Sequence, residues 1–384
     1  MPNVIGQFND SFAPIADGVG NVVKNYAYWL IKKQYSDCYV VTPGFPGYID
    51  NEEFKVIRYR SLPVPLRYPY RAGMAFFDLP LKNKLKSIKF DLIHAHSPFS
   101  SGRLALSIAR RQGIPIVATF HSKYYDDFKE AVKSAAAAKL LLKYVMSFFG
   151  SVDCVWTVSK SAVETLREYG FTGCVEVVGN GTDFLGEEIS EESRCGDGSL
   201  RLLYVGQQVW HKNIKLMVLA LKMLKDSGLR FKMTMVGEGS AQQSIKRLVQ
   251  RMELADDFTF TGKIKDRDKI RAVYATTDLN LLPSVYDTFS LVVREAAAFG
   301  CPSLVIKGSC AAECIEDGCN GFLSDNDAAA FASRIQKAAS DLKLLRAAGA
   351  KARSTLYRSW EDVVDEVALR YTGIIREQKP RRIH

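Results

Sequence analysis

Two carboxylates eight positions apart, Asp287 and Glu295, bracket the stretch of this chain best suited to chemistry. Thr288-Phe289-Ser290 follows Asp287, and Leu291 to Ala298 is rich in helix formers until Gly300 and Pro302 end the run. Upstream, Asp278-Leu-Asn-Leu-Leu-Pro283 predicts a short buried strand stopped by its proline. A strand that turns through a short loop into a helix aims free backbone N–H groups and the positive end of the helix dipole at whatever lies beyond the loop. An anion fits there. Asp287 then sits in the loop and Glu295 about two turns along the helix, at roughly 3.6 residues per turn. Spacing alone does not decide the matter, because two acids eight apart also mark an ordinary solvated helix face.

Other residues of the same chemical kind recur at strand ends. Val4 to Phe8 predicts a first strand, and the loop Asn9 to Gly20 leads into helical spacing from Asn21 to Lys33. Gly18 and Gly20 in that loop would let backbone approach a phosphate. The pattern is not G-x-G-x-x-G, since Val23 stands at its last position, so a dinucleotide-binding dehydrogenase is disfavoured. Asp91-Leu-Ile-His94-Ala-His96 and Ile114 to His121 are strands ending in histidines, which can be structural or face a ligand. Gly206-Gln-Gln-Val-Trp-His-Lys212-Asn213 follows the strand Arg201 to Val205 and offers a cation at a strand end. Asp-x-Asp occurs at Asp266 and Asp268 and again at Asp325 and Asp327, a spacing that can serve metal-bound diphosphate, but both copies lie in polar, turn-like surroundings. Cys310, Cys314 and Cys319 lack the paired spacing and neighbouring histidine of a zinc site.

The elements that must hold these residues alternate strand and helix, which argues for parallel α/β sheets with ligands at the strand C-terminal ends. At 384 residues the chain exceeds one ordinary core, so two domains are expected. Leu185 to Ser199 is acidic, glycine-rich and poor in apolar residues, and reads as the linker. Ile57 to Pro80 reads as irregular. No run reaches the ~18–20 apolar residues of a spanning helix. The N-terminus lacks a basic segment with an apolar core, and the eight cysteines form no evident framework. A cytoplasmic chain with reduced thiols is therefore expected. Residues 1–150 hold 20 Lys and Arg against 11 Asp and Glu, so +9 of the net +10 is N-terminal. Such a surface suits nucleic acid or an anionic membrane. No recognised nucleic-acid motif accompanies it.

Taken in order, these motifs resemble glycosyltransferase family 4, retaining enzymes of GT-B fold that include bacterial lipid and polysaccharide glycosyltransferases. The match covers essentially the whole chain: Gly18-Val19, the strand ending Thr119-Phe120-His121, Gly179-Asn180-Gly181-Thr-Asp183, Lys212-Asn213, Gly237-Glu-Gly239, Asp287 to Glu295 and Asn320-Gly321-Phe322. The resemblance implies two Rossmann-like domains facing across a cleft. Residues 1–184 would bind acceptor, with linker to 199; residues 200–358 would bind a nucleotide-diphosphate sugar; and 359–384 would be a helix crossing back to the first domain. It also implies site residues: His121 and Asp287 at the sugar, Gly18 and Lys212 at the diphosphate, Phe289, Ser290, Leu291 and Val292 around the donor, and Glu295 on the ribose. Departures are Asp287 for the usual Glu, Ser290 for a Gly, and Gln207 for the usual Arg, a missing cation that Arg294 or an N-domain Lys would have to replace.

The implied chemistry is front-face displacement with retention. The acceptor hydroxyl attacks from the leaving-group side and the donor phosphate takes its proton, while the protein supplies positioning and charge. No cofactor and no metal are expected, because Lys212 and helix-end amides can carry the diphosphate. A nucleotide-sugar epimerase shares the architecture, and a binding-only homologue fits the departures at Gln207 and Asp287. For partners, the resemblance implies a nucleotide-diphosphate sugar and a lipid or glycan acceptor, without nucleic acid. Two stretches point to an anionic membrane surface. Phe76 to Lys89 interleaves four lysines with large apolar residues. From Lys129 to Phe149, read as one helix at about 100° per residue, Lys129, Lys133, Lys139 and Lys143 share an arc of roughly 120°.

Overall fold

The computed structural model describes residues 2–377 apart from Ala16, Leu66, Arg67, Thr288 and 185–197, so most of the expected linker lies outside the described residues. The chain divides into two compact units, Met1–Asn180 with Trp360–His384, and Gly181–Ser359.

The first unit runs β1 (Asn3–Phe8), α1 (Gly18–Lys32), β2 (Ser36–Pro43), β3 (Lys55–Tyr59), β4 (Ser61–Pro63), β5 (Arg71–Gly73), α2 (Leu79–Ser87), β6 (Leu92–Ala95), α3 (Ser100–Gln112), β7 (Ile116–Phe120), α4 (Tyr124–Val132), α5 (Ala135–Phe149), β8 (Cys154–Thr157), α6 (Lys160–Glu168) and β9 (Val175–Val177). Seven strands make one parallel sheet in the order β3-β2-β1-β6-β7-β8-β9. The order reverses between β1 and β6, so the loops after those strands diverge and leave the crevice where such sheets bind ligands. All four residues of β6 and all five of β7 are buried, the continuous apolar pattern of strands covered on both faces.

Three stretches differ from the sequence reading. Helix α1 begins at Gly18 rather than Asn21, because Asp17 caps it through a 2.6 Å bond from the Gly20 amide to its carboxylate. The described residues of 57–80 carry regular elements: β3 joins the sheet edge, and β4 pairs antiparallel with β5. The segment 129–149 is two helices, since Lys133 turns left-handed at φ +51° and Ser134 caps the next helix on the Ala137 amide. The single arc of four lysines therefore does not exist. The large apolar residues Val145, Phe148 and Phe149 of α5 are buried, the Phe149 ring 5.5 Å from that of Phe120.

The second unit runs β10 (Leu200–Val205), α7 (Ile214–Asp226), β11 (Phe231–Val236), α8 (Gln242–Arg251), β12 (Phe258–Gly262), α9 (Arg267–Ala275), β13 (Leu279–Leu282), α10 (Leu291–Ala298), β14 (Ser303–Ile306), β15 (Phe322–Ser324), α11 (Ala328–Ser340) and α12 (Leu342–Leu356). Its parallel sheet has the order β12-β11-β10-β13-β14-β15, with the reversal between β10 and β13. Both units are thus Rossmann-like. The last helix, α13 (Trp360–Glu377), returns to the first unit, where Trp360, Val363, Val364, Val367 and Tyr371 share a core with Val22, Val23 and Tyr26 of α1.

Candidate active site

In the second unit the site grows from the two loops at the sheet's switch point. The loop after β10 carries Lys212, and the loop after β13 carries Asp287. Their side chains meet at 2.5 Å, Lys212 Nζ to Asp287 Oδ1, with Lys212 Nζ also 5.7 Å from the centre of the Tyr286 ring. Two residues assigned to different tasks by sequence are therefore direct partners. Close backbone packing builds the first of these loops. Gly237, at φ +123°, leaves no room for a Cβ, which would lie 2.0 Å from the Gly206 carbonyl oxygen, and a Cβ on Gly239 would lie 2.4 Å from that of Gln208. The Gly-x-Gly pair after β11 thus lets one strand-end loop lie directly on the next.

Helix α10 opens where the sequence placed it, with Ser290 at its N-cap position. The Ser290 hydroxyl is buried and caps nothing: among the described residues Ser290 Oγ and Asp287 Oδ2 both lack a hydrogen-bond partner. Unsatisfied acceptors and a helix N-terminus gathered within four residues are a ligand-binding arrangement. Phe289, Leu291 and Val292 form the same turn, and Arg294 stacks on Phe289 with its guanidinium 4.5 Å from the ring centre. Arg294 also donates to the Leu356 carbonyl at 3.3 Å, so it is held in place rather than freely available to replace the cation missing at Gln207.

Glu295 accepts a 2.8 Å hydrogen bond from the hydroxyl of Tyr274 on α9. The Tyr274 ring is fully buried and stacks on Phe299 at 5.7 Å and 6°. Burial raises the Glu295 carboxyl above its ordinary value; the Tyr274 bond and the Arg267 charge pull it down, and Asp183 adds to the rise. Sequence reasoning missed Tyr274, because a tyrosine on the inner stripe of an amphipathic helix has the signature of core.

Both Asp-x-Asp triplets have a structural explanation. Asp266 caps α9 on the Asp268 and Lys269 amides, and Asp327 caps α11 on those of Ala329 and Ala330. Among the described residues no group of three or more His, Cys, Asp or Glu could hold a metal ion, the Cys310, Cys314 and Cys319 cluster included.

In the first unit Gly18 occupies the first turn of α1, with open space where its side chain would be. The Gly20 amide of that turn is engaged by Asp17, which reduces what the helix end can offer a phosphate. His121 follows β7, and its Nε2 lies 3.2 Å from His96 Nδ1. Behind it His96 stacks on His94 at 4.0 Å. Burial alone lowers the His121 imidazole to about 3, and burial first, then the neighbouring imidazoles, holds His94 and His96 well below the ordinary histidine value. All three are neutral bases at physiological pH. Gly18 and His121 belong to the first unit, and Lys212, Asp287, Phe289, Ser290, Leu291, Val292 and Glu295 to the second.

Two family models match in tandem. Residues 16–184 match the one described as Glycosyltransferase Family 4, and residues 186–355 the one described as Glycosyl transferases group 1. The chain is 26% identical over 314 residues to an alpha-monoglucosyldiacylglycerol synthase of Streptococcus pneumoniae, across 78% of this chain and 70% of that protein. It is 24% identical over 330 residues to a GDP-mannose-dependent alpha-mannosyltransferase of Corynebacterium glutamicum, across 82% and 75% respectively. Among solved structures it is similar to sucrose-phosphate synthase from Thermosynechococcus elongatus, with a TM-score of 0.80, 22% identity and coverage of 98% and 100%. An Anabaena protein in complex with UDP-glucose gives a TM-score of 0.75 at 15% identity, with coverage of 97% and 99%. At such identities the structural likeness speaks for the fold.

Proposed function

The chain belongs to the family 4-like glycosyltransferases of GT-B fold, and on that premise we propose that it moves a hexose from a nucleotide-diphosphate sugar to an acceptor hydroxyl with retention. The observation that carries this reading is the turn into α10, where Asp287 and Glu295 are each held by one named partner, Lys212 and Tyr274, around a helix N-terminus with buried acceptors to spare. Glu295 is assigned to the ribose hydroxyls and Lys212 with the α10 amides to the leaving diphosphate. His121 and Asp287 are assigned to the sugar. No covalent step is needed: the departing phosphate takes the acceptor proton, and the protein's contribution is placement and charge. Metal is dispensable on this account because Lys212 and the helix end carry the charge.

For the acceptor we propose a glycolipid or envelope-polysaccharide precursor reached at the cytoplasmic face of a membrane. The names of relatives, a diacylglycerol glycoside synthase among them, favour it. So does one surface of the first unit: Phe76, Phe77 and Leu79 are 77%, 70% and 68% exposed, beside Lys82, Lys84, Lys86 and Lys89. Lys82 Nζ lies 4.6 Å from the Phe76 ring centre. Exposed rings among lysines match an anionic headgroup layer. Among the described residues no helix is long and apolar enough to cross a membrane.

Release of nucleoside diphosphate from UDP-glucose, UDP-galactose, GDP-mannose and ADP-glucose, with and without diacylglycerol vesicles, tests the reading. Turnover of one donor, stimulated by acceptor and giving an α-linked product, is expected. Interconversion of the donor sugars without transfer would make the protein an epimerase, and tight binding without turnover a binding homologue.

A further inference from the structure

A cation that serves a leaving diphosphate has to be held in place, and Lys212 is a flexible stem on a loop. The residue after it supplies an anchor. Trp210–Lys212 is a single 3-10 turn, closed by the Asn213 amide donating to the Trp210 carbonyl at 3.0 Å. The Asn213 carbonyl in turn accepts from the Leu216 amide at 3.1 Å as α7 begins. Asn213 makes this junction at φ +59° and ψ +27°, the left-handed region, which asparagine enters more readily than most residues.

An asparagine just ahead of a helix ordinarily turns its side chain back to cap the first amides. Asn213 makes no such bond. Its Nδ2 donates instead to two other loops of the second unit, to the Pro283 carbonyl at 3.2 Å and to Asn326 Oδ1 at 2.7 Å. A peptide carbonyl only accepts, so the Pro283 contact fixes which way the Asn213 amide faces. Pro283 directly follows β13 and stands four residues before Asp287, and Asn326 lies between β15 and α11. Asn326 is also the middle residue of the second Asp-x-Asp triplet, whose acids serve elsewhere: Asp325 pairs with Lys307, and Asp327 caps α11. One side chain thus ties together the loops after β10, β13 and β15. The Lys212–Asp287 pair joins the first two of these loops a second time.

We propose that Asn213 is a positioning residue for Lys212, holding the Lys212 loop against the Asp287 loop whether or not Lys212 is paired with Asp287. The proposal rests on the assignment of Lys212 to the diphosphate and adds what keeps that cation in register as it changes partners. A diphosphate competes with Asp287 for the ammonium, whereas the bonds of Asn213 go to groups that the donor is not assigned to touch. Two properties of asparagine are used together. Glycine would supply the left-handed backbone, but it has no amide to donate.

Asn213→Gly separates the two, keeping the turn without strain and removing both side-chain bonds. For the donor turned over in the nucleotide-sugar panel, kcat should fall about tenfold, the scale of one hydrogen bond, with KM little changed, because Lys212 is needed most as charge develops on the leaving group. Added to Lys212→Ala, Asn213→Gly should cost nothing further, since no ammonium is left to place. Losses that multiply in the double variant, or wild-type kcat in folded Asn213→Gly, would overturn the proposal. A second readout does not depend on turnover. In 15N–1H correlation spectra of the lysine ammonium groups, the Lys212 signal, identified by its loss in Lys212→Ala, should move in Asn213→Gly with no nucleotide present. An unmoved signal would overturn the proposal as well. If that signal moves while Lys212→Ala keeps wild-type kinetics, the assignment of Lys212 to the diphosphate falls and the positioning of its ion pair stands. Should Asn213→Gly fail to fold, Asn213→Asp tolerates the same backbone but cannot donate to either oxygen, and it is read by kcat, alone and with Lys212→Ala.

Discussion

Tyr274→Phe is the sharpest probe of how the donor carboxylate is held. The substitution preserves the ring that stacks on Phe299 at 5.7 Å and meets Phe184 edge-on at 5.7 Å, so it opens no cavity. What it removes is one 2.8 Å hydrogen bond to a half-buried carboxylate. Hydrogen bonds to charged groups contribute about 1.5–3 kcal/mol, and that is the expected loss of stabilisation for ionised Glu295. The Tyr274 bond opposes the burial that raises the Glu295 carboxyl, so without it the carboxyl rises further and holds its proton to higher pH. A protonated Glu295 accepts fewer ribose hydrogen bonds. Titration calorimetry with UDP, GDP and ADP on both proteins should therefore show affinity for the preferred nucleotide falling roughly tenfold at neutral pH, equivalent to about 1.4 kcal/mol. Part of that loss should be recovered as pH rises and Glu295 ionises. Unchanged affinity, with Glu295→Ala still weakening binding, would refute the claim that Tyr274 prepares this carboxylate. A loss that ignores pH would refute the protonation argument.

Three further outcomes are expected. Glu295→Ala should raise KM for the donor with kcat largely kept, while His121→Ala should mainly lower kcat, because a ribose contact is uniform binding and a contact at the reacting sugar is not; wild-type kinetics in both would remove the site assignment. Lys212→Ala should cost about 2–3 kcal/mol of transition-state stabilisation, the scale of one preorganised donor, and activity should survive EDTA; loss with chelator that magnesium or manganese restores would refute metal independence. Glu295→Gln should gain stability relative to wild type as pH rises. A folded-state carboxyl above its unfolded value binds more protons than the unfolded chain, so stability is lost as pH climbs through that window and the penalty is complete above it. Melting curves of the two proteins that stay parallel across that window would contradict the sign.

The sheets and the acid-x7-acid turn were legible because their signals are local. Buried parallel strands read as unbroken apolar runs, and a proline or glycine marks where each one ends. Capping defeated the boundaries. Gly18-Val-Gly20 looked like loop because glycines disfavour helix, but the Asp17 carboxylate compensates and starts α1 there. Ser134 defeated the membrane-helix reading in the same way, since an interior serine can equally well begin a helix. The partners of the site residues were the least legible. Tyr274 precedes Glu295 by 21 residues and Lys212 precedes Asp287 by 75, separations at which only the folded sheet brings side chains together.

The departures from the family pattern gain meaning from the atoms that the fold leaves unsatisfied. In the second unit, buried acceptors without a partner include Gln208 Oε1 in the loop after β10, Asn280 Oδ1 on β13, and Asp287 Oδ2 and Ser290 Oγ in the loop into α10. All four belong to the two elements that flank the switch point. The exposed carboxylates of Asp266 and Asp327, by contrast, each accept two amides. A buried acceptor without a donor costs about 1–3 kcal/mol. Two such groups three residues apart at a helix N-terminus represent a cost that a ligand's hydroxyls can relieve. Ser290 in place of glycine then adds a hydroxyl to this turn, and the carboxylate of Asp287, in place of glutamate, is in contact with Lys212. The shorter acid and the added hydroxyl act on the same turn, so on the proposed donor assignment these departures would tune which sugar is held.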